Sequence, residues 1–351
     1  MSSLHAAVTE TAQQVLAEYA ITPRTLHALT AGLINTTWQV ETVAGEARVL
    51  QRLHPTLPPA VNLNLEQVTR FLAAQGRLTP RLVPTTQGAW WVSTAGATWR
   101  VLTFIEGQSF TSMPDLAHAT AAGQMLGEFH AALVTFTAPL PCARPAVHEP
   151  ARHRAFLATT LNKHADHRLQ PVVAELGAAL EAALAALPAL PAAPLRLVHG
   201  DPKLSNLLFG PQASARCLVD LDTLTRAPLA YELGDALRSW CNPQAEDAAL
   251  GSFDLAIFEA ALVGYAQAAQ DFIVPAEIAS LVAATEMIYL ELAMRFAADA
   301  LNESYFGWDA TRFASRGAHN LQRAQNQFAC AGALRQQRAA ALQIVDRVFA
   351  R

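Results

Sequence analysis

Residues 197–206 read LVHGDPKLSN, and residues 218–223, a short step further on, read LVDLDT. The first stretch places a histidine, an aspartate, a lysine and an asparagine within eight positions, and the second adds two aspartates. The Gly-Asp-Pro run marks a turn, while the apolar residues on either side mark short strands. The polar groups are therefore expected on a loop held by strands, where side chains can reach a ligand.

The spacing Asp201-x-Lys203-x-x-Asn206 suits phosphoryl transfer from a nucleotide. That chemistry needs a carboxylate to orient the attacking hydroxyl, a cation for the transferring group and an oxygen ligand for Mg²⁺. Asp201, Lys203 and Asn206 supply these in order, and the base-to-asparagine interval is that of a kinase catalytic loop. Magnesium also needs a carboxylate. Asp220 is expected to be its principal ligand, with Asp222 in support, since residues of equal parity share one face if the strand persists. The plainer reading, in which Asp and Asn serve the turn itself, accounts less well for LVDLDT and for Gly234-Asp235 following at these distances.

Together, LVHGDPKLSNLLF, CLVDLDT and YELGDALRSW resemble the aminoglycoside phosphotransferase and choline kinase-like superfamily. The resemblance implies an α+β, protein-kinase-like bilobal fold, with a small antiparallel-sheet N-terminal lobe and a larger helical C-terminal lobe. It implies Asp201 as catalytic base beside Lys203, Asn206 and Asp220 as Mg²⁺ ligands, Asp235 as a brace for the catalytic loop, and His199 as an orienting group. LINTTWQVET and RVLQRLH resemble the nucleotide-covering loop and the strand beneath it, so Gly32, Asn35, Thr36 and Thr37 are expected over the phosphates of ATP. YLELAMRFAADALNESYFGWD is similar to a branch near the N-acetylhexosamine 1-kinases, which implies a sugar acceptor with Arg295, Tyr305 and Trp308 near it. Aminoglycoside, choline and homoserine-type acceptors are the alternatives.

One position departs from the kinase pattern. Where kinases carry a strand lysine paired to a helix glutamate, this chain reads Val49-Leu50-Gln51-Arg52. Gln51 and Arg52 are both candidates for the nucleotide site, and Glu66 for the helix acid. Adenine is expected against the junction near Phe104 and Glu106. The missing lysine also supports a rival of another class, a catalytically silent nucleotide-binding module. A metal hydrolase using Asp201, Asp220 and Asp222 lacks a metal-binding histidine pair.

Length and composition agree with two lobes. The 351 residues exceed one typical domain, and 52% hydrophobic residues provide ample core. No apolar run is long enough for a membrane span, and the start MSSLHAAVTETAQQ lacks the pattern of a signal peptide. A net charge of −4 with no basic tract does not favour nucleic acid. Cys142, Cys217, Cys241 and Cys330 are widely spaced, as free cytosolic thiols would be. A cytoplasmic monomer or homodimer is expected.

Strand-like alternation and one helical stretch fill the first hundred residues, and helical periodicity dominates after EGQSF. The lobes are accordingly drawn as 1–105 and 106–351. Trp90, Trp91 and Trp99 are expected in the small-lobe core. Among the aromatics after residue 285, Tyr289 and Phe296 compete between core and sugar pocket.

Overall fold

The computed structural model describes residues 2–29 and 35–350. It divides into two compact units. The first comprises 1–107 with two later segments, 136–144 and 219–224, and the second comprises 108–135, 145–218 and 225–351. The return of 219–224 to the first unit places the LVDLDT acids beside the N-terminal sheet.

The first unit begins with α1 (Ser2–Glu18), β1 (Pro23–Leu29), β2 (Thr36–Thr42), β3 (Ala47–Arg52), α2 (Val61–Ala74), β4 (Leu82–Val83), β5 (Val92–Thr94) and β6 (Ala97–Thr103). Among the described residues these strands form a six-stranded antiparallel sheet in the order β1-β2-β3-β6-β4, with β5 also on β6. Strand alternation sorts the sheet into an apolar and a polar face. Trp38, Val40, Leu50, Trp99 and Val101 form the apolar face, packed by Ala12, Val15 and Leu16 of α1 and by Tyr19 just after it. The helix residues recur at helical spacing, so α1 buries one stripe, at roughly 1.5–3 kcal/mol for each large apolar side chain. Trp99 is buried as expected and stacks on Trp38 at 5.6 Å, whereas Trp90 and Trp91 are only half-buried beside the short β5.

The second unit contains α3 (Leu116–Leu133), α4 (Pro150–Lys163), α5 (Gln170–Ala185), β7 (Leu195–Val198), β8 (Leu207–Phe209), β9 (Ala215–Leu218), β10 (Thr225–Pro228), α6 (Leu229–Trp240), α7 (Leu255–Ala269), α8 (Pro275–Asn302), α9 (Arg316–Gln336) and α10 (Arg338–Val348). Two short antiparallel ribbons, β7 with β10 and β8 with β9, frame the 199–206 loop. Helix α8 is apolar around most of its circumference and runs through the interior, as such helices must. Its buried Glu277 and Glu286 are neutralised by Arg196 and by Arg335 and Arg338. Helices α3 and α7 approach at their glycines: a Cβ on Gly123 would lie 1.9 Å from the Ala261 carbonyl oxygen, and one on Gly264 1.9 Å from that of Thr120.

The four cysteines are free thiols, with Cys217, Cys241 and Cys330 buried. Among the described residues, no helix is long and apolar enough to cross a membrane.

Candidate active site

In the second unit, β7 delivers the chain into the loop His199–Asn206. Gly200 makes the turn at φ +86°, a conformation that suits a residue without Cβ. The loop then closes on itself. Lys203 Nζ lies 2.5 Å from Asp201 Oδ2, and Asn206 Nδ2 donates to the Asp201 carbonyl at 2.8 Å and to its Oδ2 at 3.3 Å. The Asp201 N–H donates to Nδ1 of the buried His199 at 3.3 Å. Asp201 and Lys203 keep partial exposure, at 23% and 29% of their side chains, so both are open to a ligand. The amide nitrogen of Asn206 is thus turned toward Asp201.

Two anchors tie this loop to α6. Trp240 Nε1 donates to the Pro202 carbonyl at 3.0 Å, and the Leu204 N–H donates to Ser239 Oγ at 3.0 Å. Deeper, the carboxylate of Glu232 accepts the His199 N–H at 2.9 Å and the Gly200 N–H at 2.8 Å. Burial alone would raise the Glu232 pKa, but His130, His199 and the Gly200 N–H outweigh it and hold the carboxylate below its ordinary value. His130 Nε2 lies 3.3 Å from Glu232 Oε1, and its Nδ1 lies 3.0 Å from the Tyr265 hydroxyl.

Glu232 therefore holds the loop backbone, which corrects the expectation placed on Asp235. That residue, one turn further along α6, faces Arg238 at 2.9 Å and His148 at 3.6 Å instead. His148 in turn reaches Glu291 at 3.2 Å. Burial alone would lower the His148 pKa, but the two carboxylates outweigh it and push it up to about 9.

In the first unit Asp222 of LVDLDT meets the polar face of the sheet. The strand does not persist past Leu218. Asp220 is left-handed, at φ 62° and ψ 54°, and Leu221–Thr223 form a tight turn. The parity that would put Asp220 and Asp222 on one face is lost at that point. A left-handed aspartate is uncommon and costs backbone energy, so the surroundings must impose it.

Asp222 is bound by Arg100 instead of facing a metal beside Asp220. Arg100 Nη1 donates to Oδ1 at 2.6 Å and Nη2 to Oδ2 at 2.9 Å, while Asn35 Nδ2 donates to Oδ2 at 2.7 Å. Arg144 Nη1 also donates to the Asp222 carbonyl at 2.7 Å. Burial would raise the Asp222 pKa, but Arg100, Asn35 and Arg144 hold it below its ordinary value. This reassigns Asp222 from metal ligand to anchor. The same contact reassigns Asn35, whose Oδ1 accepts the His54 N–H at 3.0 Å.

Arg100 is only 1% exposed. Its remaining donors go to Gln51 Oε1, at 2.9 Å from Nε and 2.7 Å from Nη2, and to Asn62 Oδ1 at 3.1 Å. All five N–H groups of the guanidinium are thus used. Taking one partner from such a buried pair costs about 3–5 kcal/mol.

The register Gln51↔Arg100 puts both side chains on the polar face, and Gln51 Nε2 also donates to Thr37 Oγ1 at 3.2 Å. Arg52, opposite Thr36 and Trp99, falls on the apolar face with Leu50. Its place in the nucleotide site is corrected by strand alternation. Glu66 pairs with Arg81 at 3.4 Å and Arg70 at 3.9 Å, so the helix acid has other arginine partners than expected. Thr36 is exposed, Phe104 half-buried and Glu106 exposed, while Gly32 lies outside the described residues. Arg100 and Glu232 were not anticipated. Their signals were a lone charge in the strand TWRVLT and an acid three residues before Asp235.

At the end of α8, Asp299 accepts the N–H groups of Ser304, Tyr305 and Phe306 and the amide of Asn320. The loop so fixed leaves Tyr305 52% and Trp308 37% exposed. Arg295 lies over the Phe306 ring at 5.7 Å. Tyr289 and Phe296 are buried core residues, so of their two competing readings the core one holds.

The profile of the phosphotransferase enzyme family matches residues 25–270. Among solved structures, an amicoumacin kinase in complex with AMP-PNP, Ca²⁺ and amicoumacin is 16% identical over 92% of each chain, with a TM-score of 0.64. The microcompartment-associated aminopropanol kinase is 15% identical over 95% of this chain and 98% of its own, with a TM-score of 0.62. An aminoglycoside phosphotransferase from Alicyclobacillus acidocaldarius is 19% identical over 93% and 96%, with a TM-score of 0.59. At these identities the likeness establishes the fold, which is protein-kinase-like.

Proposed function

Because the chain belongs to the phosphotransferase enzyme family, whose members act on small-molecule hydroxyls, we propose that it transfers the γ-phosphoryl group of ATP to such a hydroxyl, with Asp201 as base. The observation that carries this reading is the Asp201–Lys203–Asn206 loop, closed by its own hydrogen bonds and braced by Glu232.

The acceptor oxygen attacks the γ-phosphorus while the bond from that phosphorus to the β-γ bridging oxygen breaks, and ADP leaves. The acceptor proton passes to Asp201. In a largely dissociative transition state little proton transfer has occurred when the bridge breaks, so Asp201 acts first by orienting the hydroxyl. Lys203 neutralises charge on the moving group. Asn206 Oδ1 and the Asp220 carboxylate are each oxygen donors of the kind magnesium takes, and either would hold the cation. When bound, the cation draws charge from the phosphate oxygens. Thr37, Gln51, Phe104 and Glu106 remain the candidates for contact with the nucleotide.

For the acceptor, the aromatic faces of Tyr305 and Trp308 on a fixed loop support a sugar, with Arg295 nearby on α8. A coupled ADP-release screen over N-acetylhexosamines, aminoglycosides and amino alcohols tests this. Turnover is expected with one class, and Asp201→Ala is expected to lower its rate by about two to four decades. An unchanged rate in that variant would remove Asp201 from its role. The neutral Gln51 at the kinase lysine position favours a second reading, a silent nucleotide-binding module. Calorimetric binding of Mg-ATP without turnover across the whole panel would establish it.

A further inference from the structure

We propose that Arg100 is a positioning residue for the metal-binding aspartate: it locks the Asp220–Thr223 turn to the sheet and takes no part in binding phosphate. The proposal rests on the reading above, in which Asp220 holds the cation.

Three observations carry it. First, the strand position that holds a cation in kinases is the neutral Gln51, and the positive charge on that face comes from Arg100 in register on β6. Second, the guanidinium is saturated. Its five donors are shared among Gln51, Asn62 and Asp222, and the side chain is 1% exposed, so no N–H remains for a phosphate oxygen. Third, its carboxylate partner lies two residues from the left-handed Asp220. That partner is held at its side chain by Arg100 and Asn35 and at its carbonyl by Arg144, and the intervening Leu221 is buried. A non-glycine residue stays in this conformation only where its neighbours impose it, and Asp222 is the neighbour most firmly tied.

The strand cation of kinases contacts phosphate directly. Here, the same net charge would act one step away, through Asp222 and the backbone, on the direction of the Asp220 carboxylate. Partners that orient metal ligands in this way typically change metal affinity by about 10–100-fold when removed.

The test compares Arg100→Met, Arg100→Lys, Asp222→Asn and Asp220→Asn with the unmodified protein. Three quantities are read: Mn²⁺ affinity in the presence of ADP by electron paramagnetic resonance, ADP affinity without metal by calorimetry, and Tm. Asp220→Asn should abolish the Mn²⁺ site. Arg100→Met and Asp222→Asn should each weaken Mn²⁺ by about tenfold or more while leaving metal-free ADP affinity unchanged. Arg100→Lys should fall between, because it keeps the charge and loses the fork.

If Arg100→Met does not fold, Asp222→Asn, which keeps the volume, carries the same expectation. A lower Tm with unchanged Mn²⁺ affinity in Asp222→Asn would reduce the pair to a fold contact and overturn the proposal. A loss of metal-free ADP affinity in Arg100→Met, absent in Asp222→Asn, would make Arg100 a phosphate ligand and overturn it equally. Intact Mn²⁺ binding in Asp220→Asn would instead refute the assignment of Asp220, and the positioning role with it.

Discussion

Glu232 accepts the Gly200 N–H at 2.8 Å with one carboxylate oxygen while the other takes the His199 N–H. The bend that aims Asp201 is thus held from the first turn of α6. Glu232→Gln keeps one acceptor and turns an N–H₂ group toward the second backbone N–H. A displacement near 1 Å at a reacting group costs up to about a hundredfold in rate, and an unpaired buried N–H costs about 1–3 kcal/mol. The variant should therefore lose kcat and Tm together while KM for ATP changes little. Steady-state kinetics beside a thermal melt would show it, and a kcat equal to that of the unmodified protein would free the loop from this brace.

A second prediction concerns the loop after α8. Asp299 gathers three consecutive backbone N–H groups, and the loop it holds displays Tyr305 and Trp308. Trp308→Ala and Tyr305→Ala should raise KM for the acceptor and spare KM for ATP. Loss of one stacked aromatic is worth about 0.5–1.5 kcal/mol beyond area, or roughly two- to thirteenfold in KM. Asp299→Asn should reproduce the change without altering either aromatic, since an amide cannot accept as many N–H groups as the carboxylate. Equal acceptor KM in all three variants would place the acceptor elsewhere.

How much of this was legible follows from distance along the chain. The Asp201–Asn206 spacing is local, so the loop, its flanking strands and the order of helices could be read directly. The Arg100–Asp222 pair joins residues 122 apart, and no periodicity reports such a contact. Gln51 could be seen to lack the lysine, but only the β3–β6 register shows which residue stands beside it. Parity assigned Asp222 to the metal because LVDL reads as strand; the left-handed Asp220 ends that strand before parity applies. The resemblance puts the brace at Asp235, and Glu232 lies three residues before it on the same helix α6. Only the direction of α6 against the loop decides which acid meets His199 and Gly200.

The α3–α7 contact gives a prediction about stability alone. Gly264→Ala would place a methyl 1.9 Å from the Thr120 carbonyl oxygen, and that oxygen belongs to a helix backbone that cannot swing away. Overpacking of this kind costs about 1–3 kcal/mol and occasionally more. For a chain of this size the shift is about 1–2 °C in Tm per kcal/mol. Calorimetric unfolding of Gly264→Ala should show a clear drop, and a Tm within 1 °C of the unmodified protein, on the order of the measurement error, would mean the helices can slide apart freely.

The buried histidine makes stability depend on pH. His148 lies between Asp235 and Glu291, with Arg238 also on Asp235 and His153 Nε2 3.5 Å from Glu291. Its pKa stands at about 9 against an ordinary 6.5. The raised value means that the folded state holds a proton the unfolded chain releases more readily. The stabilisation is therefore complete below about pH 6.5 and disappears as pH rises through about 9. The shift corresponds to about 3 kcal/mol as an order of magnitude. His148→Gln cannot take the proton, so it should be less stable at pH 6 and should lose less stability than the unmodified protein between pH 6.5 and 9. Denaturant unfolding of both forms across that window reads the difference directly. Parallel curves would show that His148 is neutral in the folded protein and that Arg238 alone balances the two acids.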